Sequence, residues 1–377
     1  MMIDVQKRLD AREKEGSLRS LTLSSFSTDF SSNDYLGLAR LPECKQRVFE
    51  EYGRYESTLG GHGSTGSRLL SGNCLYAQAL EQKIAAFHGY DAGTLFNCGY
   101  MANIGVLSTI GDADDVFLFD HDVHASMHAG LQLSPARAIS FRHNCLEHLE
   151  NRLQLTKHAH QRFICIESVY STDGSISPLR EIAALARKYS AYLIVDEAHA
   201  TGVLGPHGKG LIAQMNVSDV VLAHIVTFGK ALGAHGAIVL GSATLQKALI
   251  NFASSYIYTT ALPWISLAAI DVAYSLFPSM DKERAHLQKL IHTCSTELLS
   301  SSITPIQGVI IPGNLSVDRV AKICQARGYD VRALKHPTVR KGLERLRICL
   351  HSFNTQEELL SLIECIQTSL KEISCNV

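Results

Sequence analysis

Through the middle of the chain, runs of consecutive apolar residues alternate with stretches whose apolar positions recur at helical spacing. The runs fall at residues 94–96, 116–119, 163–166, 192–195, 220–226 and 237–240. Such near-continuous apolar runs predict strands covered on both faces. Between them, Leu75, Ala79, Leu80, Ile84 and Phe87 mark one helix face. Leu179, Ile182, Ala183, Leu185 and Ala186 mark another, closed by Tyr189-Ser190. Strand–helix alternation predicts an α/β fold with a mostly parallel sheet, and ligands in such sheets sit at the C-terminal strand ends.

The pattern changes after Pro263. A helix-rich stretch covers residues 264–301, followed by short strands near 309–311, 330–333 and 346–350 and a helix near 318–326. Thr355-Gln356-Glu357-Glu358 is a capping box, and Leu359, Ile363, Ile366 and Leu370 line one face of the helix behind it. The expected organisation is an N-terminal arm (residues 1–45), a large domain (46–265) and a smaller C-terminal α+β domain (266–377).

Composition narrows the class. Lys and Arg number 35 against 36 Asp and Glu, which leaves no basic field for nucleic acid. The ten cysteines include no C-x-x-C pair, against a zinc ribbon or a disulfide framework. Charge follows at once on Met1-Met2-Ile3, and no apolar run is long enough to span a bilayer. These features read as a soluble, reduced, cytoplasmic protein.

The chemistry gathers where strands end. Lys230 stands in Thr227-Phe228-Gly229-Lys230-Ala231-Leu232-Gly233, directly after the 220–226 run. That is a poor place for a solvated lysine and a good one for a lysine that forms an imine. The 192–195 run ends in Asp196-Glu197-Ala198-His199. A lysine for a Schiff base and an aspartate for a pyridinium nitrogen are the pair that pyridoxal 5′-phosphate (PLP) chemistry requires. The same four letters spell the DEAH box of nucleic-acid ATPases. That reading needs a phosphate loop, and neither Gly208-Lys209 nor Gly229-Lys230 has the required glycine before it or hydroxyl residue after it.

Other motifs gain meaning in company. Gly60 to Arg68 is rich in glycine and hydroxyls, and Asn97-Cys98-Gly99-Tyr100 opens a helix whose free N–H groups suit a phosphate. His124 and His128 have the spacing of metal ligands, but no carboxylate or cysteine cluster completes a site. His124 can instead offer a flat face to an aromatic ring. Ser171-Thr172-Asp173-Gly174 puts a hydroxyl at a third strand end. Arg345 and Arg347 alternate along one strand, so both face the same way, either into solvent or as a clamp for a carboxylate.

Taken in order, these motifs resemble the α-oxoamine synthases, PLP enzymes of the aspartate-aminotransferase fold (fold type I). The resemblance runs from Ser32-Asn33-Asp34-Tyr35-Leu36-Gly37-Leu38 to the Arg347 strand. It takes in Ser64 to Gly72, His124-Ala125-Ser126, Ser171 to Gly174, Asp196 to Gly202 and Thr227 to Lys230. It implies a mostly parallel sheet in a large domain beside a smaller C-terminal α+β domain. It also implies that Lys230 holds PLP and acts as base, Asp196 pairs with the pyridinium nitrogen, and His199 and Ser171 lie at the ring's 3-oxygen side. His124 would stack on the ring. Gly99 and Tyr100 amides and the Thr227 hydroxyl would hold the phosphate, with Thr259 and Thr260 reaching it from a partner subunit of a homodimer. Arg347 would bind the amino-acid carboxylate, with Asn33 in a substrate-contacting arm.

Within the family, Ala200-Thr201-Gly202 and Tyr256 to Pro263 look most like members that condense L-alanine with a pimeloyl thioester of coenzyme A or an acyl carrier protein. Sister enzymes use glycine or serine with other acyl thioesters. The chain departs from the family pattern at Trp264, where a second proline is usual, at His351-Ser352-Phe353-Asn354, and in a short N-terminal arm.

Overall fold

The computed structural model describes residues 5–21, 26–59 and 61–374. Met1 to Asp4, which carry part of the N-terminal reading, and Gly60, the first residue of the glycine-rich loop, lie outside the described residues. Contacts divide the chain into two units. One comprises Leu36–Tyr170 and Ile176–Asp281; the other comprises the segments up to Tyr35 and from Lys282, together with Ser171–Ser175.

The larger unit holds a seven-stranded sheet of β1 (Ala92–Phe96), β2 (Val116–Asp120), β3 (Arg137–Phe141), β4 (Arg162–Glu167), β5 (Tyr192–Asp196), β6 (Val221–Thr227) and β7 (Ala237–Gly241). Its order is β1-β7-β6-β5-β4-β2-β3. All neighbours run parallel except β7, which is antiparallel to both β6 and β1. All six predicted runs are strands. β3 was not predicted: it is an edge strand whose Arg137 and Ala138 are exposed, so it has no apolar run to reveal it.

Alternation along the strands feeds two cores. Phe117, Phe163, Cys165, Ile194 and Ala223 pack with Val106 and Met127 on one face. Leu118, Ile164, Ile166, Leu193 and Val195 pack with Ile182 and Ala186 on the other. Each fully buried Leu, Ile, Val, Phe or Met side chain among them contributes roughly 1.5–3 kcal/mol. The helix Leu179–Tyr189 buries its predicted face and ends at Ser190 in the left-handed region. The helix Leu75–His88 is turned from the expected face. Leu75 is 83% exposed, while Tyr76, Leu80, Glu81 and Ile84 are buried. Glu81 sets this rotation, because its carboxylate takes both ends of the Arg68 guanidinium at 2.9 Å and the Leu95 N–H at 2.9 Å.

The helix Trp264–Leu276 packs on Pro42–Leu59, so the larger unit extends past residue 265 to Asp281. The smaller unit has an antiparallel sheet ordered Arg332–Leu334, Arg345–Cys349, Ile306–Ile310. The arm residues Thr28–Asp29 pair with Tyr329–Asp330, so the arm is part of this unit. The capping box forms: Glu358 N–H donates to Thr355 Oγ1 at 3.1 Å, and Thr355 N–H to Glu358 Oε2 at 2.9 Å. Thr355→Ala is expected to lose about 1 kcal/mol, the usual value of such a cap, read as a lowered denaturation midpoint with unchanged slope.

Candidate active site

The β5 and β6 ends lie side by side in the sheet, and each delivers one member of the lysine–aspartate pair. Asp196 is the last residue of β5 and is 5% exposed. Its Oδ1 accepts the Ala198 N–H at 2.9 Å, and its Oδ2 accepts Asn103 Nδ2 at 2.8 Å. Two donors thus fix a buried carboxylate that burial would otherwise destabilise. Asn103 also donates to Ser126 Oγ at 2.9 Å, which joins the helices Gly99–Thr109 and Ala125–Leu133.

Lys230 lies three residues beyond β6 in a turn closed by Phe228 N–H to Gly236 O (2.9 Å) and Ala234 N–H to Phe228 O (2.8 Å). Its Nζ donates to Thr227 Oγ1 at 3.2 Å. The strand and the turn together hold the amine at the sheet edge.

His124 caps the helix Ala125–Leu133, with Nδ1 accepting the Ser126 N–H at 3.2 Å. Burial pushes its pKa down, the Asp196 charge opposes that, and the Lys230 charge adds to it. Both members of the pair therefore act on the imidazole, whose pKa is lowered on balance. Tyr100 meets it edge-on, with ring centroids 6.4 Å apart.

The helix Gly99–Thr109 begins after Cys98 with no side-chain cap, so its first N–H groups are available to an anion. Gly99 is required by close approach: a Cβ there would meet Thr227 Cγ2 at 2.5 Å. Asn97 Nδ2 donates to Thr259 Oγ1 at 2.9 Å and to Thr260 O at 2.7 Å of the same chain. In the same unit, Ser64 Oγ donates to Ala261 O at 2.6 Å and the Ala261 N–H to Gly66 O at 2.9 Å, so the glycine-rich loop is pinned beside this segment. His199 is buried, 5% exposed, in the turn that follows Asp196.

Two participants had no signal in the sequence pattern. Asn103 is a lone polar residue on an apolar helix. Glu167 ends β4 opposite Asp196. Burial, then the Asp196 charge, holds the Glu167 carboxyl well above its usual range. Glu197, the second residue of the Asp-Glu-Ala-His string, accepts the N–H groups of Leu211 and Ile212 at 2.7 and 3.2 Å.

The arginine strand belongs to the smaller unit, as does Ser171. Arg347 donates Nε to Ser171 O (2.7 Å), Nη1 to Cys349 Sγ (2.9 Å) and Nη2 to Asn33 Oδ1 (3.0 Å). Asn33 Oδ1 also accepts the Tyr35 hydroxyl at 3.1 Å. Burial opposes the Arg347 charge, but Cys349 and Tyr35 beside it more than offset this. No carboxylate among the described residues pairs with it, which leaves a half-buried cation able to take one. Arg345 is different. It is neither solvated nor available, because its guanidinium holds Asp173 Oδ2 at 2.8 Å.

These residues fit PLP: an amine, a fixed carboxylate, a flat imidazole, and a helix start made close to Thr227 by Gly99. The aminotransferase class I and II family matches residues 27–366. The chain belongs to that family. The 8-amino-7-oxononanoate synthase of Emericella nidulans is 41% identical, covering 98% of this chain and 96% of its own. The 8-amino-7-oxononanoate synthase of Francisella tularensis is 29% identical with a TM-score of 0.78, covering 93% of this chain and 99% of that one. Serine palmitoyltransferase from S. paucimobilis with bound PLP–myriocin shares the fold at 23% identity and a TM-score of 0.88, covering 98% of each chain. Within the family the chain is an α-oxoamine synthase, and its cofactor is PLP.

Proposed function

We propose that this enzyme condenses L-alanine with a pimeloyl thioester, giving 8-amino-7-oxononanoate, carbon dioxide and the free thiol, a step of biotin synthesis. The substrate assignment follows the full-length likeness to 8-amino-7-oxononanoate synthases. The chemistry is carried by one observation: Asp196 ends β5 and Lys230 follows the neighbouring parallel strand β6, with its Nζ held on Thr227 Oγ1 at the same edge of the sheet.

When bound, PLP supplies an electron sink for the carbanion formed at the amino-acid Cα. Arg347 binds the alanine carboxylate, and Asn33 and Ser171 hold the guanidinium in place for it. Lys230 would hold the cofactor through Nζ, and the same amine, when free, would take the Cα proton. Thr227 steadies that amine. Asp196 would hold the proton on the ring nitrogen, His124 would cover a ring face, and His199 would serve the 3-oxygen side. The Gly99 and Tyr100 amides and the Thr227 hydroxyl would hold the phosphate, with Thr259 and Thr260 reaching it from a second copy of the chain. The deprotonated Cα attacks the thioester carbonyl, the thiol leaves, and the resulting β-keto acid loses carbon dioxide.

The enzyme works as a homodimer with shared sites. Leu70, Leu75 and Tyr258 are 81%, 83% and 84% exposed, apolar surface that a second copy would cover. Among the described residues no helix is long and apolar enough to cross a membrane; we place the enzyme in the cytoplasm.

A panel of alanine, glycine and serine against pimeloyl and other acyl thioesters, read by product mass, tests the reading. Alanine with the pimeloyl donor gives the mass of 8-amino-7-oxononanoate. Turnover with serine or glycine alone would move the enzyme to a sister activity. Arg347→Lys is expected to raise KM for alanine about tenfold or more, because an ammonium cannot make the guanidinium's paired contacts. The spectrum of bound PLP should stay unchanged in that variant.

A further inference from the structure

Behind the sheet edge that carries Asp196 and Lys230 lies a second acid–imidazole pair that the reaction does not consume. Glu197 is 0% exposed and His224 is 1% exposed. Glu197 Oε2 and His224 Nε2 are 3.1 Å apart, in contact but off the line of a hydrogen bond. Glu197 follows Asp196 directly, and His224 precedes Thr227 by three residues on β6. Successive residues of an extended strand point to opposite faces, so Asp196 and Glu197 use opposite sides of one strand end.

We propose that Glu197 and His224 are positioning residues, which lock β5 to β6 and so set the placement of Asp196 against Lys230. This rests on the PLP reading above. The β5–β6 ladder is not continuous: Leu193 pairs with Val221 but Ile194 with Ala223, so β6 carries an extra residue near its start. A one-residue slip in a sheet turns every side chain to the wrong face. The register of the strand ends therefore has to be held beyond the irregularity. Glu197 does this three ways. Its N–H donates to Ile225 O at 2.8 Å, its Oε2 meets His224, and its Oε1 takes the Leu211 and Ile212 N–H groups. Room for the carboxylate depends on Gly210, at φ +98°, where a Cβ would lie 2.0 Å from Glu197 Oε2. The imidazole is supported in turn by the edge of His88, with centroids 5.2 Å apart. A cavity of about 50 Å3 lined by His224 with His88, Tyr90, Lys209 and Ser218 can accept water when the ring is changed.

The experiment compares wild-type enzyme with Glu197→Gln and His224→Gln. Each is reconstituted with PLP, and the cofactor Kd, the pH midpoint of its absorbance, the thermal midpoint and kcat are measured. Glu197→Gln keeps an oxygen for the Leu211 and Ile212 amides and changes only the atom that faces His224. Expected are a PLP Kd raised about tenfold, the size of a coupling between contacting residues, and an absorbance midpoint moved by at least about half a pH unit. KM for alanine should stay within about twofold while kcat falls. A lower thermal midpoint with the PLP Kd and absorbance midpoint unchanged would mean the pair only supports the fold, and would overturn the proposal. If Glu197→Gln does not fold, His224→Gln is read by the same two quantities. Wild-type protein that takes up no PLP overturns the functional reading itself, a result separate from any behaviour of the variants.

Discussion

Lys230→Ala is expected to abolish covalent PLP attachment and to slow condensation by at least about a thousandfold, within the range a lost general base commands. Two losses combine in one residue. Without Nζ there is no bond from protein to cofactor, and there is no amine to take the Cα proton. The fold should survive, because the turn is closed by backbone bonds that alanine keeps, including Gly233 N–H to Lys230 O at 2.9 Å. Borohydride treatment followed by mass spectrometry should leave PLP fixed to Lys230 in wild type and nowhere in the variant. Added methylamine should restore a fraction of the proton-transfer rate, since a free amine can enter the space the side chain leaves. Wild-type turnover in Lys230→Ala would exclude this lysine as anchor and base alike.

How much of this was legible in the sequence depends on burial. The six strands covered on both faces announced themselves, because nothing polar interrupts a run such as residues 163–166. β3, exposed along its edge, did not. Strand direction was also hidden. The run 237–240 reads like its neighbours, yet β7 runs against them, and periodicity carries no sense of direction. Lys230 and Asp196 were visible because a charged residue at the end of an apolar run has few structural uses. Glu167 was not. It ends its strand as Asp196 does, but its importance comes from lying opposite Asp196, 29 positions away in the chain. Asn103 was hidden for the same reason.

The arginines teach a related point. Alternation placed Arg345 and Arg347 on one face correctly, and they then differ because of residues far away in sequence. Asp173 neutralises Arg345, whereas Arg347 is surrounded by Asn33, Ser171 and Cys349 with no carboxylate. A strand pattern fixes which way a side chain points; it says nothing about what waits there. That Ser171–Ser175 groups with residues after 281 rather than with its own neighbours was likewise beyond any local pattern.

Asp196→Asn should lower kcat at least about a hundredfold, the scale of losing one preorganised electrostatic partner, while the protein still binds PLP. The substitution changes charge and almost nothing else in size. The Asn oxygen can still accept the Ala198 N–H. The amide that replaces the second oxygen would confront the Asn103 amide, donor against donor, and one of the two must turn. The larger effect is on charge. Burial and the Asp196 charge push the neighbouring Glu167 carboxyl well above its usual range, which makes it a poor substitute for the Asp196 charge. Removing it leaves no anion to keep a proton on the ring nitrogen, and the carbanion loses its sink. PLP should remain attached, since Lys230 and the Gly99 helix start are untouched. The discriminating measurement is kcat with alanine alongside the PLP Kd. A collapsed kcat with the Kd changed only severalfold supports the role, whereas a wild-type kcat would show that the ring nitrogen has another partner. A Kd lost together with kcat would instead make Asp196 a binding group whose charge is not needed for the chemistry.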